Sequence, residues 1–288
     1  MITKTTEAYA KINLYLDVTG KRADGYHDVV TVMQTVSLSD TVTVTRQDTT
    51  DCERTITVTC SDSAIPTDRR NIVWKCAEAF FETYNIPSYR VQIDILKRIP
   101  SEAGLGGGSA DGAAVLRLLA ELYDTDASVE ALCSIGARIG ADIPFCVRGG
   151  VCLCEGLGER LTPLDVPTVA HPILIAYPAG SGVSTAEAYR LVDAVTEPTP
   201  FSVDRLIREL TDGVCPTSLY NRFEAAVCPH RPRIAALLAR LSECGARSVL
   251  MSGSGCAVYG IFDDAAVRDR AASLIETDDI RVYPCNPI

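Results

Sequence analysis

Pro100-Ser101-Glu102-Ala103-Gly104-Leu105-Gly106-Gly107-Gly108-Ser109-Ala110-Asp111-Gly112 holds five of the chain's twenty glycines. An alternating, strand-like run ends just before it, and apolar periodicity predicts a helix over residues 109–123 just after it. Glycines this dense between two regular elements allow positive φ and let a ligand come within hydrogen-bonding distance of bare backbone N–H groups. The following helix would aim its unpaired N-terminal N–H groups at the same point. A helix terminus contributes about 0.3–2 kcal/mol toward an anion, whereas each hydrogen bond to a charged acceptor contributes roughly 1.5–3 kcal/mol. Three or four loop N–H groups therefore outweigh the dipole, and the stretch reads as a phosphate cradle; the plainer alternative is a flexible surface loop. Two other phosphate fingerprints do not fit. The Gly-Lys-Ser/Thr ending of a Walker A loop is missing, and Ser109 stands where the third glycine of a dinucleotide-binding turn belongs.

With 288 residues the chain can form one large domain or two of ordinary size. Twenty-seven basic against thirty-seven acidic residues give a net charge of −10, which argues against an extended footprint on nucleic acid or an anionic membrane. An anionic ligand must then be held by local donors. The N-terminal residues lack the apolar core of a signal peptide, and no run approaches the ~18 apolar residues of a membrane span. The expectation is a cytoplasmic protein. Twelve cysteines are scattered singly through strand and helix patterns, which reads as buried thiols and not as a disulfide framework. Cys152 and Cys154, one residue apart on a strand, make a poor zinc half-site, and no residue is assigned as a metal ligand. No heptad seam indicates an oligomeric state.

Outward from the loop, residues 8–18 alternate, with Ile12, Leu14, Leu16 and Val18 on one face and Lys11, Asn13, Tyr15 and Asp17 on the other: a half-buried strand. Further strands are predicted over residues 29–38, 41–46, 55–60 and 89–97, with a helix over 71–84. A helix over 128–139, capped by Ser128, leads into Gly140-Ala141-Asp142-Ile143-Pro144-Phe145, where Pro144 places Asp142 at a helix exit or tight bend. After a strand at 151–155, Pro163, Pro167 and Pro172 mark a seam, giving domains at 1–162 and 163–288. Beyond it come a strand at 173–177, helices near 185–195, 203–210, 221–227, 231–244 and 264–275, and strands at 248–251, 257–262 and 280–283. The order suggests an α+β protein of two layered domains.

Phosphoryl transfer needs an anion cradle, a cation to offset charge on the transferred group, and a base or positioning residue for the attacking hydroxyl. The glycine loop, Lys11 and Asp142 are candidates for the three parts. Each has a plain alternative: a strand lysine in solvent, a helix-end aspartate, a turn. Tyr26-His27 could be surface residues, and Gly253-Ser254-Gly255 a tight hairpin.

Taken together the motifs resemble a known family. The loop from Pro100 to Ala110 looks like the second motif of the galactokinase, homoserine kinase, mevalonate kinase and phosphomevalonate kinase superfamily, and Met251-Ser252-Gly253-Ser254-Gly255 resembles the third. Ala10-Lys11-Ile12-Asn13-Leu14, Lys21-Arg22-Ala23-Asp24-Gly25-Tyr26-His27 and Gly140-Ala141-Asp142-Ile143-Pro144-Phe145 are similar to one branch of it, which phosphorylates a cytidyl diphosphate sugar alcohol in non-mevalonate isoprenoid precursor synthesis. The resemblance implies a ribosomal-S5-like nucleotide-binding domain followed by an α/β sandwich substrate domain, with ATP and Mg²⁺ as cofactors. It implies phosphates on Gly104, Gly106, Gly107, Gly108 and Ser109, and Asn71 near the adenine. Asp142 maps to the base and Lys11 to its partner. Asn13, His27 and Thr185 map to substrate contacts, with Tyr26 and Tyr189 stacking the cytosine between them. Ala110 stands where many members carry a second serine, and Gly112 where they carry alanine. A small-alcohol kinase of another branch, or a ligand-binding regulator without turnover, are the rival readings.

Overall fold

A computed structural model describes residues 1–48, 53–167 and 171–288 of the chain. The first strand, β1 (Ile2–Lys21), shows the expected apolar face, with Ala8, Ala10, Ile12, Leu14 and Leu16 buried. Lys11, Asn13, Tyr15 and Asp17 are buried too, so the middle of β1 is covered on both faces and not half-exposed as the alternation predicts. In β2 (His27–Arg46) the polar Ser39-Asp40 step, expected as a turn between two strands, lies inside one continuous strand. Asp40 is fully buried there, its carboxylate accepting the backbone N–H of Ile99 at 2.9 Å.

The chain continues through β3 (Arg54–Cys60), α1 (Ile72–Thr83), β4 (Tyr89–Leu96), α2 (Gly107–Leu122), α3 (Val129–Ala137), α4 (Ile143–Arg148), β5 (Val151–Gly156), β6 (Arg160–Pro163), β7 (Ile173–Pro178) and α5 (Thr185–Val192). It ends with α6 (Val203–Thr211), β8 (Tyr220–Asn221), α7 (Arg222–Val227), α8 (Pro232–Glu243), β9 (Ser248–Met251), β10 (Val258–Ile261), α9 (Ala265–Ile275) and β11 (Ile280–Cys285). Three of these, α4, β6 and the two-residue β8, have no counterpart in the sequence reading. The edge strand β6 is only four residues long. In α4, Pro144 sits in the first turn, where an N–H has no intrahelical acceptor and proline costs little; a proline read as a breaker is a helix start.

Contacts divide the chain into two interleaved units. The first comprises Met1–Ala10, Ser39–Ile99 and Gly106–Gly149. Here β3 runs parallel to β4, with Val58 opposite Ile93, and β4 runs antiparallel to the later half of β2, with Val44 opposite Ile93. The sheet's apolar face packs on α1 and α2 through a core that includes Val42, Val91, Cys76, Phe80, Phe81, Leu116 and Leu119. The α1 residues Val73, Cys76, Ala77, Phe80 and Phe81 recur at helical spacing, which is why this segment buries one stripe. Full burial of a side chain such as Phe80 contributes about 1.5–3 kcal/mol.

The second unit comprises Lys11–Leu38, Pro100–Leu105 and Gly150–Ile288. Its four-stranded antiparallel sheet has the order β11-β7-β10-β9, with Ile175 opposite both Tyr259 and Tyr283. Leu174, Ala176 and Val258 pack with Leu237 and Leu241 of α8 and Ile275 of α9. The same unit pairs β5 with the first half of β2 (Val30 with Glu155), β6 with β5 (Leu161 with Cys154), and β8 in parallel with β1 (Tyr220 with Tyr15). Cys76, Cys256 and Cys285 are buried thiols, as their scatter predicts, and burial pushes Cys76 and Cys285 up to about 12; Cys52 lies outside the described residues. Among the described residues no helix is long and apolar enough to cross a membrane.

Candidate active site

Lys11 is not the solvated strand lysine of the plain reading. It is 4% exposed, and its Nζ donates to Asn13 Oδ1 at 2.7 Å, two residues along the same face of β1. Asn13 Nδ2 donates to Thr31 Oγ1 at 2.8 Å, and Thr31 Oγ1 donates to the carbonyl of Tyr15 at 2.6 Å. Tyr259, fully buried on β10, donates its hydroxyl to the Asn13 carbonyl at 2.9 Å. A buried ammonium and amide are tolerated only when their hydrogen-bonding capacity is met, and this chain of bonds fixes the rotamers of both.

The first half of the glycine loop lies in the same unit. Gly104 has φ +78°, and a Cβ there would fall 2.0 Å from the Ser252 carbonyl oxygen, so only glycine fits. Ser252 Oγ donates to the Gly104 carbonyl at 2.9 Å, and the Ala257 N–H donates to the Ala103 carbonyl at 3.1 Å. The turn Met251-Ser252-Gly253-Ser254-Gly255 is therefore a buttress for the loop and more than a hairpin end. Asn221 holds that buttress, donating to the carbonyls of Met251 and Gly253 at 2.7 and 2.8 Å while its Oδ1 caps α7. Only its preference for helix caps could have drawn attention to it.

His27 is buried on the first residue of β2 and its ring stacks on Tyr189, with centroids 4.7 Å apart and planes at 19°. His27 Nε2 is 2.7 Å from Asp193 Oδ1, and Lys21 Nζ is 2.5 Å from Asp193 Oδ2. The Lys21 and His27 hydrogen bonds hold the Asp193 carboxyl below the usual carboxylate range. Tyr189 meets Phe223 edge-on at 4.9 Å. Tyr26, expected to face Tyr189 across the base, is 63% exposed in its turn, and Tyr189 has His27 as its stacking partner. Thr185 is exposed at the first position of α5, beside the capping Ser184.

The second half of the loop belongs to the first unit. Gly106, with φ +71°, is the N-cap of α2, which begins at Gly107, two residues earlier than the apolar periodicity predicts. Gly107, Gly108 and Ser109 thus form its first turn, whose N–H groups have no intrahelical acceptor and here no side-chain cap. Ala110 is buried against the core, so its side chain is packing and not ligand surface. A Cβ on Gly112 would come within 2.8 Å of Cys76 Sγ and 2.9 Å of Ile72 Cγ2. The glycine thus lets α1 and α2 approach closely, which offsets its cost of about 0.5–1 kcal/mol in a helix. Asn71 caps α1, accepting from the Val73 N–H at 3.0 Å and donating to the Pro66 carbonyl at 2.7 Å. Its amide is spent on fixing the start of α1, which sets Ile72 against Gly108.

Asp142 immediately precedes α4, at φ −81° and ψ −14°, and its carboxylate makes no capping bond to that helix. Asp142 sits in the tight bend that Pro144 predicts, at the N-cap position of α4 but without a capping side-chain bond.

Beneath the loop lies a cluster absent from the sequence reading. Lys97 Nζ bonds Asp40 Oδ2 and, at 2.8 Å, Asp111 Oδ2, and all three side chains are at most 6% exposed. Burial pushes the Asp111 carboxyl up to about 7, against the pull of Lys97, and Asp111 Oδ1 is buried without a hydrogen-bond partner. Lys97 Nζ would lie 3.2 Å from a Cβ on Gly107, so the cluster forms the floor under the first turn of α2. The one signal was an aspartate near the start of a helix whose buried residues are otherwise apolar.

Residues 71–150 match the family described as GHMP kinases N terminal domain, and residues 201–276 match GHMP kinases C terminal. The 4-diphosphocytidyl-2-C-methyl-D-erythritol kinase of Clostridium kluyveri is 40% identical over 261 residues, covering 90% of each chain. The enzyme of the same name from Clostridium novyi is 37% identical over 279 residues, covering 96% of this chain and 97% of the relative. A crystal structure of 4-(cytidine 5'-diphospho)-2C-methyl-D-erythritol kinase superposes with a TM-score of 0.81 over 99% of both chains at 31% identity. Homoserine kinase from Cytophaga hutchinsonii, at 17% identity and a TM-score of 0.73 over 99% of this chain and 95% of its own, shares the fold. The two-domain α+β fold that the resemblance implies is thus the fold observed, and the chain belongs to the 4-diphosphocytidyl-2-C-methyl-D-erythritol kinases of the GHMP kinase family.

Proposed function

We propose that this chain transfers the γ-phosphoryl group of ATP to the 2-hydroxyl of 4-diphosphocytidyl-2-C-methyl-D-erythritol, a step in non-mevalonate isoprenoid precursor synthesis. The observation that carries the reading is the burial of Lys11 and Asn13 in one hydrogen-bonded chain, a cost that a solvated strand face would not incur. The names of the relatives supply the substrate.

In this reading Gly104, Gly106, Gly107, Gly108 and Ser109 receive the phosphates, Gly104 through its positive-φ backbone and the others through the first turn of α2. Mg²⁺ takes hard oxygen ligands and is usually held by substrate phosphates with one or two protein oxygens. The Ser109 hydroxyl, in the first turn of α2, fits that donor set and would help hold the ion, which would offset charge on the phosphates. Asp142 orients the 2-hydroxyl and receives its proton as the oxygen attacks phosphorus and ADP leaves. Lys11, positioned by Asn13, supplies a cation to offset charge on the transferred group. Asn71 contributes by fixing α1 beside Gly108.

Tyr189, rigidified between His27 and Phe223, offers a stacking face for cytosine, worth about 1–3 kcal/mol. Asp193 holds His27 through Nε2, which leaves the Nδ1 side of the ring for a substrate contact. Tyr26 closes over the base from its exposed turn, and Thr185 contacts the substrate from the start of α5. ADP release measured with the cytidyl substrate, homoserine, mevalonate and galactose tests the assignment. Turnover is expected with the first compound; turnover with another and none with the first overturns it.

A further inference from the structure

Three segments of the second unit bring metal-ligating side chains together outside the machinery described above. His171 lies just ahead of β7, Cys215 in the connection from α6 to β8, and Asp263 just after β10. A ring nitrogen, the Sγ and a carboxylate oxygen from these residues all lie within 4.8 Å of one another. His171 Nε2 is moreover buried and meets no hydrogen-bond partner. An imidazole nitrogen hidden from water without a partner is unfavourable unless something else satisfies it. Asp263 gives one oxygen, Oδ2, to Arg247 at 3.1 Å and keeps the other.

We propose that His171, Cys215 and Asp263 form a binding site for a borderline-soft divalent transition ion, Zn²⁺ being the best match. Imidazole, thiolate and carboxylate are all zinc donors, and the thiolate and carboxylate together offset the two positive charges. With Zn–N, Zn–O and Zn–S bonds of about 2.0–2.3 Å, tetrahedral ligands stand roughly 3.3–3.6 Å apart. From separations of up to 4.8 Å, the three ligand atoms need to close by about 1 Å to hold the ion. A cavity of about 200 Å³ runs past the site, lined in part by His171, Val214, Pro216 and Ile261, and admits water as the fourth ligand. The ion would tie the entrance of β7, the α6–β8 connection and the exit of β10 into one staple. Arg247 competes for Asp263, so the carboxylate is the weakest of the three ligands.

The test uses the whole chain, stripped with a chelator and kept reduced, titrated with Zn²⁺ and with Co²⁺ as its spectroscopic probe. One equivalent should bind, the cobalt form should show thiolate-to-metal charge transfer with tetrahedral d–d bands, and Zn²⁺ should raise the melting temperature. Cys215→Ser and His171→Ala should each abolish all three signals, Asp263→Asn should weaken them, and Cys215→Ser should retain the turnover of the wild type without added zinc. Absence of stoichiometric binding by the wild type overturns the site, and so does a cobalt spectrum that survives Cys215→Ser or His171→Ala. The wild-type titration needs no variant to fold.

Discussion

Each unit contains a lysine joined to carboxylate, and the two clusters differ in almost everything else. In the first unit Lys97 is 6% exposed, with Asp40 at 0% and Asp111 at 4%. In the second, Lys21 is 58% and Asp193 is 37% exposed, and only His27 is buried, at 8%. Burial would lower Lys97, but Asp111 and Asp40 outweigh it and raise it, while burial raises Asp111; removing one member leaves an uncompensated charge in a place water does not reach. Around Asp193 water screens the pair, so its ion pair adds little stability and its value is the orientation it gives the His27 ring. Similar chemistry thus serves as scaffold in one unit and as aim in the other.

The largest expected effect comes from the scaffold. Lys97→Ala should cost about 3–5 kcal/mol of unfolding free energy by urea denaturation; a loss like that of a surface pair would dissolve the contrast. Next is its pH dependence. Asp111 carries a carboxyl raised to about 7 in the folded chain from 3.8, so the folded state holds a proton that the unfolded chain releases. This contribution is complete below the unfolded value and is lost as pH rises through the folded one. Between about pH 4 and 7 the wild type should therefore lose stability relative to Asp111→Asn, and parallel curves would refute the shift. Asp193→Asn should change unfolding free energy by less than about 1 kcal/mol yet raise KM for the cytidyl substrate more than it alters kcat; a large stability loss would make it scaffold as well. The smallest effect belongs to Lys21→Ala, a few tenths of a kcal/mol that fades with added salt.

The same contrast explains what could be read in the chain. The glycine loop and most helices and strands were legible because their signals are local: glycine density, capping residues, periods of 2 and 3.6. Asp40 looked like a turn because its partners Lys97 and Ile99 are more than fifty residues away. Asp193, which holds His27, lies 166 residues from it and carries no local motif. The His27 ring stacked on Tyr189 carries no sequence signal either, because the two lie far apart in the chain and share no motif. Pro144 was misread because the rule for the residue before proline competes with the tolerance for proline in a first helical turn, and here the second prevails.

The central claim is that Asp142 serves the chemical step while the loop holds the nucleotide. Single-turnover phosphorylation of 4-diphosphocytidyl-2-C-methyl-D-erythritol by Asp142→Asn, with ATP affinity measured on the same preparation, tests it most directly. The rate should fall by roughly 10²–10⁴-fold with ATP affinity unchanged; an undiminished rate, or an equal loss of ATP binding, would contradict that role.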